Sequence, residues 1–157
     1  RSKPRSKLPK QPHPGCGELM DPFVALLESS VEQVQQSTGL DPDGLDVRQA
    51  LLLVERSALA AETAPPAESV AWDLFYVSAG AAVAELQAEL PEPALLPENI
   101  RPATDSTDIL RLTTSTLTTL LADLYAAAAA GDTGSPWRRL VWARVAHHLD
   151  SAAAKLR

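Results

Sequence analysis

DSTDILRLTTSTLTTLLADLYAAAAAG, residues 105–131, is the stretch on which the fold class turns. Its Thr113-Thr114-Ser115-Thr116 run contains β-branched residues that favour extended backbone. Against them, Ile109, Leu110, Thr113, Leu117, Leu120, Leu121 and Leu124 recur mainly at spacings of three and four and fall in one arc of a helix. The spacing outweighs the local preference and predicts a helix from about Asp105-Ser106, prolonged by Ala126 to Ala130 and capped by Gly131.

The flanking sequence has the same period. Ser135-Pro136 joins a capping side chain to a residue tolerated in a first turn, and predicts a last helix running to the C-terminus. Val141, Trp142, Val145, Leu149, Ala152 and Leu156 are its expected buried face. Upstream, a helix over about Ala67 to Leu90 carries two apolar stripes. Val70, Leu74, Val77, Ala81 and Ala84 lie along one side; Trp72, Phe75, Tyr76, Ala79, Val83, Leu86 and Leu90 lie roughly opposite. Such a helix is either central to a bundle or shared with a partner. Asp21-Pro22 opens a first helix to about Ser37, with Phe23, Leu26, Leu27, Ser30, Val31 and Val34 on one face and Gly39 ending it. The turn Asp41-Pro42-Asp43-Gly44 leads to a second helix, capped by Asp46 and striped by Val47, Ala50, Leu51, Val54, Ala58 and Ala61, until Pro65-Pro66 stops it.

These readings give an all-α fold: a five-helix, four-helix-bundle-like up-and-down bundle with one long proline-rich crossover. The crossover is residues 91–104, where Pro91, Pro93, Pro97 and Pro102 exclude a continuous helix while Leu95, Leu96 and Ile100 predict that the segment lies across the bundle. A domain boundary there would leave two or three helices on each side, so residues 21–157 are expected to form one domain. Residues 1–20 are basic, proline-rich and without a hydrophobic period, and are expected to be disordered. Either they are a genuine basic tail or Met20 is the natural start.

Aromatic residues are only 4% of the chain, so Leu, Val and Ala must fill the core, which suits helix packing. The net charge of -6 is unevenly spread. Between Asp21 and Asp132 stand eighteen acidic and four basic residues, whereas Arg1, Lys3, Arg5, Lys7 and Lys10 crowd the start and Arg138, Arg139, Arg144, Lys155 and Arg157 the end. A body this acidic repels phosphate backbones and anionic membranes, so neither nucleic acid nor membrane is an expected partner. One cysteine, Cys16, forms no internal disulfide framework, and no apolar run reaches membrane-spanning length; the cytoplasm is the expected compartment.

No catalytic constellation is readable, and no enzyme activity, metal or cofactor is expected. The residues three before His147 and His148 are Arg144 and Val145, not the Glu of a helical metal motif. The 41–46 turn lacks the Gly at position six and the Glu at position twelve of a calcium loop. What remains is surface. The candidate interaction residues are Trp72, Phe75, Tyr76, Val83 and Leu86 on the third helix, with Trp137, Arg138, Arg144, His147 and His148 on the fifth. They support two expectations: a non-enzymatic helical interaction or regulatory module, meeting a protein partner or itself, or a bundle whose Trp, Tyr and His residues line a small-molecule pocket.

Overall fold

The structure, a computed structural model, describes residues 21–103 and 107–157. They form five α-helices and, among the described residues, no strand: α1 (Pro22–Gln36), α2 (Leu45–Arg56), α3 (Pro66–Gln87), α4 (Thr107–Ala130) and α5 (Pro136–Lys155). The expected tail over residues 1–20 and the expected helix start at Asp105-Ser106 lie outside the described residues.

The helix ends follow from local chemistry. Asp21 caps α1 by accepting the Phe23 N–H at 2.9 Å, and Ser135 caps α5 by accepting the Arg138 N–H at 3.1 Å. Beyond α1, Gly39 takes a left-handed φ of 68°, which glycine adopts without steric cost. Asp46 is not the cap of α2: the helix begins at Leu45 with Gly44 at the cap, and the preceding turn is organised by Asp41, whose carboxylate accepts the Asp43 N–H at 3.0 Å. Past Arg56 the chain tightens into a 3₁₀ segment, Ser57–Glu62. There the buried Ser57 hydroxyl donates back to the Leu53 carbonyl at 3.0 Å, competing with the α-helical ladder.

The helix directions follow from the side-chain contacts. Ser69 reaches Ala61 and Arg48 reaches Gln87, so α3 runs antiparallel to α2. Trp137 reaches Glu89 and His148 approaches Glu85, so α5 runs antiparallel to α3. The groove between α1 and α4 pairs Val31 with Leu112 and Val34 with Leu124, making these two parallel. Up-down alternation therefore breaks once, at the crossover, which carries the chain back so that α4 points the same way as α3. Two arginines of α2 hold it. Arg48 donates to the Glu92 carbonyl at 2.7 Å, and Arg56 donates to the carbonyls of Leu96, Pro97 and Ile100 at 2.6–3.1 Å. At its far end the Ala103 N–H donates to the second oxygen of Asp21 at 2.9 Å.

One hydrophobic core draws on all five helices. The register of α4 differs from the leucine-based expectation: Ile109 faces solvent, and the buried line passes through Leu110, Thr114, Leu117, Thr118, Leu121, Ala122 and Tyr125. The threonines are tolerated there because they are hydrogen-bonded. Thr114 donates to Ser57 at 3.0 Å and Thr118 to the Thr114 carbonyl at 2.6 Å. On α1 Leu26 is likewise exposed while Val24 takes an inward place. The expected buried face of α5 is buried throughout. The helices that touch most neighbours are α2 and α4; among the described residues α3 packs on α2, the 3₁₀ segment and α5 and does not touch α1 or α4.

Candidate functional site

Of its two apolar stripes, α3 buries only one. On α3 the core takes Trp72, Phe75, Ala79, Ala82 and Leu86, with the Trp72 and Phe75 rings edge-to-face at 5.5 Å. Trp72, Phe75 and Leu86 are therefore corrected from interaction surface to core, because the aromatic stripe offers far more apolar area to the bundle than its opposite. Val83 is half-buried against the same core, and Tyr76 is exposed on its flank. The stripe left in solvent is the smaller one: Val70, Leu74 and Val77 are 58%, 49% and 68% exposed. The half-buried Ala81 and the exposed Ala84 and Ala88 continue that line toward and past the helix end. The positions 70, 74, 77, 81, 84 and 88 alternate steps of four and three, the seam of a helix that meets another helix.

Beside the last turns of α3, α5 contributes Trp137, which is nearly half exposed. Trp137 donates its indole N–H to Glu89 at 2.8 Å, and the Arg144 guanidinium lies 5.6 Å from the Trp137 ring centre. Arg144 and His148 both approach Glu85, at 3.8 and 3.9 Å. His147 is exposed, its ring 5.9 Å from that of His148. Trp137, Arg144 and His148 thus border the small-residue end of the α3 stripe.

Arg138 does not. It turns inward, where Nε and Nη2 donate to the two carboxylate oxygens of Asp43 at 2.8 and 2.6 Å and Nη2 also to the Leu86 carbonyl at 3.0 Å. Trp142 donates its indole N–H to Asp43 at 3.0 Å, Arg48 donates to the Asp43 carbonyl at 3.0 Å, and Tyr125 donates to the Pro42 carbonyl at 2.7 Å. Burial alone would raise the Asp43 pKa, but these hydrogen bonds and the charges of Arg138 and Arg48 outweigh it and hold the carboxyl below its ordinary value. The same contact raises Arg138, and burial pushes Tyr125 far up. Both carboxylate oxygens are engaged, so Asp43 locks the α1–α2 turn to α5, while the Tyr125 hydroxyl on the Pro42 carbonyl ties the same turn to α4. Gly134 belongs to this lock: a Cβ there would stand 2.6 Å from the Trp142 ring, which its bond to Asp43 holds in place.

The hub and the two crossover-holding arginines were not readable from the chain. Asp43 looked like any turn residue, and the long-range partners of Arg48, Arg56 and Arg138 have no periodic signature. The exposed stripe was readable, as one of two. Trp72, Tyr76, Trp137 and the histidines do not converge on a common cavity: the depression at Tyr76, about 330 Å³, is formed with Glu55, Leu59 and Asp73, and Trp137 stands at the other end of α3. Among the described residues no helix is long and apolar enough to cross a membrane. Comparison of the chain with protein-family models, curated proteins and solved structures finds no match.

Proposed function

We propose that the chain is a helical interaction module that associates through the outer stripe of α3, and that its partner is a second copy of itself. The carrying observation is the exposed seam of Val70, Leu74 and Val77 continued by Ala81, Ala84 and Ala88. Its two halves differ in size. Antiparallel pairing about a two-fold axis near Val77 sets the branched residues of one copy against the alanines of the other, Val70 opposite Ala84 and Leu74 opposite Ala81. Trp137 stands beside the alanine half, so the branched residues of the partner meet small side chains next to an aromatic ring.

The association is expected to be weak. Burying the exposed half of six Val and Leu side chains returns roughly 5–9 kcal/mol, against an association cost of about 4–15 kcal/mol. At best about 5 kcal/mol remains, an affinity of about 0.2 mM or weaker, and measurements belong at hundreds of micromolar protein. Geometry gives a direct test. In a Cys16→Ser background, Val77→Cys is expected to cross-link rapidly to itself through a short bis-maleimide, whereas Ala84→Cys, which faces Val70, is expected to cross-link far more slowly. Equal rates for the two variants would contradict the antiparallel pairing.

A further inference from the structure

A second face of the molecule has a different character. Along the parallel pair α1 and α4 runs an open groove. Near its far end Val34, Leu40, Leu124 and Trp142 line an apolar depression of about 970 Å³ rimmed by Asp41, Asp123 and Asp132. Nearer the start of α1 a depression of about 440 Å³ between Val31 and Leu112 carries Glu28 and Glu32. Among the described residues no Lys, Arg or His lines either depression. Glu28, Glu32, Asp123 and Asp132 take part in none of the ion pairs among the described residues. Both α1 and α4 lack a basic residue in the last turn, so their carbonyl ends add to the negative potential. Arg139, which reaches the end of α4, is held by the Gly131 carbonyl.

We propose that residues 1–10, RSKPRSKLPK, occupy this groove within the same chain. The segment carries Arg1, Lys3, Arg5, Lys7 and Lys10 and no acidic residue, and Leu8 supplies an apolar contact. Its tether fits. The ten residues from Gln11 to Met20 span at most about 33–36 Å, and α1, which starts where they end, is about 22 Å long, so the basic decapeptide reaches the whole groove. A tether of this length holds the segment at an effective concentration of order millimolar, enough for a weak electrostatic contact. The α3 face competes poorly, because Glu85 and Glu89 already engage Arg144, His148 and Trp137.

The experiment uses the full chain with Ser6→Cys and Cys16→Ser, a nitroxide at position 6, and amide NMR intensities. At about 50 mM salt, amides of the second halves of α1 and α4 are expected to lose at least half their intensity while those of α3 do not. By 0.5 M salt, where screening acts within roughly 5 Å, the loss is expected to vanish. Asp123→Lys with Asp132→Lys, both at exposed positions, is expected to abolish it at low salt with an unchanged far-UV circular dichroism spectrum. If that double variant does not fold, the salt release in the parent decides alone. Uniform or absent broadening, or broadening that survives high salt, overturns the proposal. So does equal broadening when the nitroxide and the isotope label are on separate copies, which would make the occupant the tail of a second molecule.

Discussion

Asp43 is the residue whose removal should cost most. It ties the α1–α2 turn to Arg138 and Trp142, and the Asp43–Arg138 pair is only 21% and 15% exposed. Asp43→Asn keeps the shape but sets an amide against guanidinium donors, leaving a largely buried Arg138 uncompensated; a loss of about 3 kcal/mol is expected in urea unfolding. The pH dependence has a definite sign. A carboxyl held below its ordinary 3.8 in the folded state binds its proton more readily when unfolded, so its contribution is complete above that value and is lost as pH falls through the depressed one. Glu55 acts oppositely: burial raises its pKa, so protonation near and just above its ordinary 4.5 favours the folded state. Acid unfolding curves of the parent are therefore expected to be steeper below pH 4 than those of Asp43→Asn, and parallel curves would contradict the assignment.

The elements were largely legible, as were the buried faces of α2 and α5, but the rotation of α4 was not. The period of three and four located all five helices, and Asp21-Pro22 and Ser135-Pro136 marked two of the starts. The buried line of α4 escaped because hydrophobicity favours leucine, whereas packing accepts a threonine whose hydroxyl is satisfied by Ser57 or by the preceding turn. On α3 both stripes were visible, but which one the bundle buries depends on what packs against it. The crossover lacks a ladder of its own and leans on Arg56, whose three carbonyl contacts no sequence pattern reveals. Arg56→Met is expected to raise amide exchange at Ile100 and Ala103 at least tenfold while leaving α5 protected, as seen by native-state hydrogen exchange. Unchanged exchange at Ile100 would mean that the crossover is held by its apolar contacts instead.

At the scale of the whole molecule, the acidic groove and the α3 seam are separate faces. The α1–α4 side is acidic and grooved; the α3 side presents the exposed seam, bordered at its small-residue end by Trp137. A monomer with a complete core has no internal use for Val70, Leu74 and Val77, so substitutions there should alter association and leave stability nearly untouched. Sedimentation equilibrium from 5 to 500 µM on the parent and on Leu74→Asp/Val77→Asp tests this most directly. The predicted result is an apparent mass that rises toward twice the monomer with concentration in the parent and stays monomeric in the variant, at equal melting temperature. A parent that remains monomeric at 500 µM, or a variant that associates as strongly, would contradict self-association through α3.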